Sequence, residues 1–220
     1  MVPRVKICCI SNVEEARLAV LYGASALGLV SEMPSGPGVI AEERIEEIAS
    51  WAPPGLSTFL LTSKQDVRSI IDQQRRCKVN TIQICDHLTS GTYEDLRESL
   101  PGIKIVQVIH VRDVRSVEEA KNISTHVDAI LLDSGNQELP VKELGGTGRT
   151  HDWSLSAQIV QEVQIPVFLA GGLQPANVAE AVKIADPYGV DVCSGVRTGG
   201  KLDEEKLKKF FRAIQGAQPS

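Results

Sequence analysis

The sequence predicts an α/β fold, a single-domain (β/α)8 TIM barrel over residues 1–220. Three observations predict it. Short apolar runs alternate with amphipathic stretches along the whole chain, and each of eight strand candidates is followed by a helical pattern. Strict alternation implies parallel strands, because a right-handed crossover returns the chain in the same direction and both faces of the sheet are then covered. Eight units in 220 residues average about 27 each, a barrel with few insertions. Finally, Asn12-Val-Glu-Glu-Ala16 with Ala24-Ser-Ala-Leu-Gly-Leu29 is echoed about 104 positions later by Ser116-Val-Glu-Glu-Ala120 with Asp128-Ala-Ile-Leu-Leu-Asp133, as in a barrel of two similar halves. An open doubly wound sheet is the alternative, but no Gly-x-Gly-x-x-Gly follows the first strand.

Strands are expected at residues 5–8, 26–30, 57–61, 81–84, 104–110, 129–132, 166–170 and 189–193. The first alternates Val5 and Ile7 with Lys6 and Cys8. The helix after it, 13–22, opens with Ser11 and Glu14 at capping-box spacing and stops at Gly23. Further helices are expected at 42–52, 66–76, 93–99, 117–124, 155–163, 176–185 and 204–214. Pro53-Pro54-Gly55 and Gly145-Gly-Thr-Gly148 punctuate loops, and no low-complexity run divides the chain.

The composition is near globular averages, 42% hydrophobic and 23% charged, with only 4% aromatic residues, so the core must be aliphatic. A net charge of −5 and a pI near 5.5 remove the electrostatic reason to expect nucleic acid or an anionic membrane as partner. The amino terminus lacks a signal-peptide apolar run and no stretch has the length of a transmembrane helix, so a cytoplasmic protein is expected. Cys8, Cys9, Cys77, Cys85 and Cys193 are an odd count without Cys-x-x-Cys spacing and are expected as free thiols. Metal is not expected, since adjacent Cys8 and Cys9 on a strand would project to opposite faces.

A barrel carries its active site at the carboxyl ends of the strands. Alternation turns Lys6 and Cys8, Gln83 and Cys85, and Asp191 and Cys193 into the lumen, while Asp133 lies at the rim after the sixth strand. Such a lumen is more polar than a purely structural core, although a Lys6–Asp191 pair can also simply satisfy itself, and Cys8 can serve as a small buried hydrophobe. The last two strands end in Leu169-Ala-Gly-Gly-Leu173 and Cys193-Ser-Gly-Val196, two glycine loops whose backbone N–H groups suit a phosphate. His110 ends the fifth strand near the site mouth, while His87, His126 and His151 read as surface residues.

These segments resemble the phosphoribosylanthranilate isomerase family. The matching pieces are Val5-Lys-Ile-Cys8, Leu131-Leu-Asp-Ser134, Gly145-Gly-Thr-Gly-Arg-Thr-His-Asp-Trp-Ser154, the 169–173 loop with Pro175 and Asn177, and Val190-Asp-Val-Cys-Ser-Gly-Val196, in the family's order. The resemblance implies an Amadori rearrangement of an N-(5-phosphoribosyl) amine to an aminoketose phosphate, without metal or organic cofactor. It implies Asp133 as general acid at the ribose ring oxygen and Cys8 as general base at the second sugar carbon. Lys6 would activate Cys8, since a reference thiol is only about 3% thiolate at pH 7. Gly171, Gly172, Ser194 and Gly195 would cradle the phosphate, and Lys6, Gln83, Asp191 and Gly146 would meet the rest of the substrate. A phosphosugar is the implied small-molecule partner, in a monomer or homodimer.

The sequence also departs from the family. The arginine that pairs with the anthranilate carboxylate aligns with Gly38, the histidine after strand four with Cys85, a glycine after the catalytic cysteine with Cys9, and a strand-five lysine with Gln107. Arg112, Arg149 and Arg197 are the candidates to replace the lost arginine. Two alternatives therefore stand beside the family reaction: an isomerase for a different phosphorylated sugar or amine, and a non-catalytic phosphometabolite-binding barrel.

Overall fold

The computed structural model describes residues 2–216. Eight parallel strands hydrogen-bond in sequence order and close on themselves, so the expected barrel is the fold. The strands are β1 Arg4–Ile7, β2 Ala26–Val30, β3 Ser57–Thr62, β4 Thr81–Ile84, β5 Lys104–His110, β6 Ala129–Asp133, β7 Val167–Leu169 and β8 Gly189–Val192. The helices between them are α1 Val13–Leu21, α2 Glu42–Trp51, α3 Val67–Cys77, α4 Tyr93–Ser99, α5 Arg115–Ser124, α6 Trp153–Glu162 and α7 Val178–Ala185, with α8 Glu204–Gln215 after β8. Among the described residues no helix is long and apolar enough to cross a membrane.

Strand alternation builds two separate packing layers. Ile7, Leu27, Leu60, Ile82, Ile109 and Leu132 point outward and pack beneath the helices. Cys8, Val30, Leu61, Cys85, Val106 and Leu131 fill the lumen. The scarce aromatics are used at its amino-terminal end, where Phe59 and Phe168 meet edge to face at 5.9 Å and Tyr188 packs on Phe168 at 5.5 Å. Above this plug the Lys6 ammonium lies 5.2 Å from the centre of the Phe59 ring. Below is aromatic; above, the lumen turns polar.

Two local expectations are corrected. Asn12, not Ser11, caps α1: its side chain accepts the Glu15 N–H at 2.8 Å while the Ser11 N–H donates to the Glu15 carboxylate at 3.1 Å, a box displaced by one residue. After β8 the chain forms a 3-10 turn, Ser194–Val196, and then a small hairpin, β9 Arg197–Thr198 and β10 Lys201–Leu202, which the strand–helix pattern did not foresee. Its signal was Gly199-Gly200 in a two-residue connection. The echoed segments occupy α1–β2 and α5–β6, equivalent places in the two halves.

Candidate active site

At the carboxyl ends of the strands the lumen opens into a cleft of about 680 Å³, its mouth included. Of the residues singled out in the sequence, Cys8, Gln83, Asp133, Gly146, Gly171, Gly172, Asp191 and Ser194 line it. Lys6 is fully buried beneath its floor, and Gly195 lies behind its wall.

Cys8 follows the last residue of β1, and its amide N–H donates to the Val192 carbonyl at 2.8 Å, which fixes it against β8. Room for its thiol comes from Gly28 on the inner face of β2, a site residue missed from sequence. A Cβ there would lie 2.8 Å from the Cys8 sulfur and 3.0 Å from the Lys6 nitrogen. A glycine at a lumen position inside an apolar strand was the available signal. Burial pushes the Cys8 thiol up to about 11, with the Lys6 ammonium pulling the other way. Lys6 is therefore where an activating cation should be, but desolvation outweighs it.

The Asp133 carboxyl closes β6, and the Ser134 N–H donates to it at 2.7 Å. Burial still lifts it above the ordinary aspartate value, so it keeps a proton at higher pH than a surface carboxyl does. Lys6 and Asp191 are cross-strand neighbours in the β1–β8 pairing and form an ion pair at 2.9 Å. Burial pulls the lysine down, but the Asp191 carboxylate, with smaller help from the Cys8 and Cys85 sulfurs, more than offsets it and holds the ammonium above its ordinary value. Gln83 has its amide nitrogen 3.8 Å from the Cys85 sulfur, while its Oε1 and the Asp191 Oδ1 are buried without a hydrogen-bond partner among the described residues. These two acceptors, with the Lys6 ammonium that has its ion pair but no hydrogen bond, are unsatisfied polar groups of the floor among the described residues.

Gly171, Gly172 and Ser194 line the side of the cleft above β7 and β8. The Asn177 side-chain amide donates to the Gly172 carbonyl at 3.1 Å and steadies that turn. Gly195 acts from behind: its backbone presses on the Leu173 carbonyl where a Cβ would collide, so the two glycine loops are locked together.

The match to known proteins spans nearly the whole chain. The family described as N-(5'phosphoribosyl)anthranilate (PRA) isomerase matches residues 5–213. The N-(5'-phosphoribosyl)anthranilate isomerase 2 of Methanosarcina mazei is 37% identical over 209 residues, 94% of this chain and 92% of its own. The enzyme of that name from Methanocella arvoryzae is 34% identical over 212 residues, 96% of this chain and 94% of its own. The chain belongs to the phosphoribosylanthranilate isomerase family. The solved phosphoribosylanthranilate isomerase of Thermotoga maritima superposes with a TM-score of 0.80 at 32% identity, covering 97% of this chain and 99% of that one. Another solved family member, in complex with reduced 1-(o-carboxyphenylamino)-1-deoxyribulose 5-phosphate, superposes at 0.78 with 30% identity and the same coverage.

The departures from the family pattern take on physical form here. Cys9 and Cys193 are joined in a disulfide with Cα atoms 5.9 Å apart, which corrects the expectation of five free thiols; Cys8, Cys77 and Cys85 are free. Strand β1 ends at Ile7 and Cys9 adopts φ +63°, so Cys8 and Cys9 line the same cleft instead of opposite faces. None of the three arginines proposed as a replacement clamp lines the cleft. Arg112 pairs with Glu138 at 2.7 Å, Arg149 with Glu143, and Arg197 with Glu15 at 3.0 Å while its guanidinium also donates to the Cys8 and Cys9 carbonyls.

Gln107 faces the helix layer, where its side chain accepts from the Tyr93 hydroxyl at 2.8 Å and donates to the Asp86 carbonyl at 3.1 Å. The lumen side of β5 is carried by Val106 and Val108. His110 is buried against the Cys85 carbonyl at 3.2 Å, with burial lowering its pKa, and does not line the cleft. His151 is half-buried, not a surface residue: its Nε2 meets the Ser156 hydroxyl at 2.7 Å, and burial lowers it to about 4.

Proposed function

We propose that the protein is a phosphoribosylanthranilate isomerase, converting N-(5-phosphoribosyl)anthranilate to the corresponding aminoketose phosphate by acid–base catalysis. The observation that carries this reading is that a thiol and a carboxyl from β1 and β6 line one cleft beside paired glycine loops, in a chain of this family. The substrate phosphate binds to the backbone of Gly171 and Gly172 and to Ser194, with Gly195 holding the two loops together.

Asp133 donates its proton to the ribose ring oxygen. The bond between that oxygen and the first sugar carbon breaks, and the amine lone pair forms the protonated Schiff base. Cys8, as thiolate, takes the proton from the second carbon, and the released electron pair neutralises the iminium to give an enolamine. Its tautomerisation gives the ketone. One proton leaves Asp133 and one arrives at Cys8, so the next turnover needs only their exchange back. Burial suits both groups to these tasks: it raises the share of Asp133 that carries a proton, and it makes the Cys8 thiolate a strong base, although with a pKa of about 11 that form is roughly one part in ten thousand at pH 7. Lys6 limits this scarcity by its charge, Asp191 holds Lys6, and Gln83 and Gly146 contact the sugar and amine.

Loss of phosphoribosylanthranilate fluorescence tests the proposal, with Cys8→Ser and Asp133→Asn as controls. Wild-type turnover no faster than both variants would sink it.

A further inference from the structure

We propose that the amine end of this cleft recognises an uncharged aryl group, so that N-(5-phosphoribosyl) arylamines are bound without help from a ring carboxylate; this rests on the isomerase reading above. With the phosphate at the loops of β7 and β8 and the reacting groups on the flanking β1 and β6, the amine substituent points across the barrel toward β2–β4. The wall there is Val30, Met33, Pro37, Leu61, Cys85 and Leu144, with the uncharged Gln83 amide of β4 as its polar side chain at the floor. Ser35, the hydroxyl on that side, already donates to the Lys142 carbonyl at 2.7 Å.

No lysine or arginine side chain among the described residues lines the cleft. Lys142, next to that wall, pairs with buried Asp86, and Arg112, Arg149 and Arg197 are paired as described above. Lys6 is beneath the floor and neutralised by Asp191. A ring carboxylate on that side would thus meet apolar side chains and the neutral Gln83 amide, with no cation among the described residues of the cleft to pair with.

Position 38 cannot supply the missing charge either. Gly38 has φ +83°, and a Cβ on it would lie 2.5 Å from the Cys9 Cβ and 3.0 Å from the Cys9 Cα. Cys9 cannot step aside, because the disulfide to Cys193 ties it to the β8 loop. The side chain at 9 therefore fills the space through which a side chain at 38 would enter the pocket.

Calorimetric titration of the wild-type protein with two unreactive ligands tests this: reduced 1-(o-carboxyphenylamino)-1-deoxyribulose 5-phosphate and its phenylamino counterpart lacking the carboxylate. Dissociation constants within tenfold of each other are expected. A carboxylated ligand bound ten times more tightly or better, as a charge-assisted partner would give, overturns the inference. Turnover of phosphoribosylanthranilate by the same preparation separates the two proposals. Turnover with a tenfold carboxylate preference sinks the aryl-recognition inference alone, whereas no turnover and no binding of either ligand sinks both. In the double variant Cys9→Gly with Gly38→Arg, at least a tenfold preference for the carboxylated ligand is expected; equal binding by a variant whose circular dichroism is that of the folded barrel would remove Cys9 as the element that sets the preference.

Discussion

Lys6 and Asp191 face each other across the β1–β8 seam that closes the barrel, and their charges meet 2.9 Å apart in a lumen where the lysine has no exposure to solvent. Removing one partner of a buried pair leaves the other charge uncompensated, which typically costs about 3–5 kcal/mol, whereas replacing both by apolar groups is far milder. Asp191→Asn is expected to fall in that range by urea unfolding, and Lys6→Met with Asp191→Leu to lose clearly less than the single variant. Equal losses would mean that the pair is not what holds the seam.

Gly28 leaves the gap shared by the Cys8 thiol and the Lys6 ammonium, since a Cβ would sit 2.8 Å from one and 3.0 Å from the other. Overpacking a closed lumen costs about 1–3 kcal/mol, and displacing the proposed base by about 1 Å lowers the rate by about a hundredfold. For Gly28→Ala we expect both effects, read from unfolding midpoints and from kcat/KM. A variant with unchanged kcat/KM would show that the thiol position is not critical.

The fold was legible because strand–helix alternation is a local signal repeated eight times. The polar floor was legible because Lys6, Cys8, Gln83 and Asp191 break the apolar pattern on one parity of their strands. Parity failed where its premise did. At Cys9 the strand has ended and a left-handed residue turns the side chain back to the cleft. In β5 both faces are covered, so valines fill the lumen and Gln107 satisfies its amide among the helices; hydrophobicity cannot tell the two faces apart. Pairing between Cys9 and Cys193 spans 184 positions and depends on ring closure, to which no local pattern points.

The Cys9–Cys193 bond makes a direct prediction about thiol content. Of the five cysteines, three are free, so denatured, unreduced protein should titrate as three thiols and reduced protein as five. Since the bond joins the two ends of the barrel, it restricts most of the unfolded chain, and its reduction should lower stability by about 2–4 kcal/mol. Five thiols before reduction would refute the bond and, with it, the fixed position of Cys9 against Gly38.

The opposed environments of Cys8 and Asp133 predict an unusual pH signature. In the proposed mechanism the reacting form needs a protonated Asp133 and an ionised Cys8, yet the thiol, pushed up to about 11, loses its proton after the carboxyl does. Between the two values each rise in pH gains thiolate and loses carboxylic acid in equal measure, so wild-type kcat/KM should be flat over the interval that separates the Asp133 carboxyl from the Cys8 thiol, read where the substrate phosphate is already dianionic. Removing one requirement exposes the other. The residual kcat/KM of Asp133→Asn should rise about tenfold per pH unit from about pH 7 to 9, following the thiolate, and that of Cys8→Ser should fall with pH once the Asp133 carboxyl ionises, following the carboxylic acid. Stopped-flow fluorescence at several pH values measures these slopes. Flat profiles in both variants would mean that neither group exchanges a proton in the step that limits kcat/KM, whereas opposite slopes would assign the base to β1 and the acid to β6 without reference to any relative.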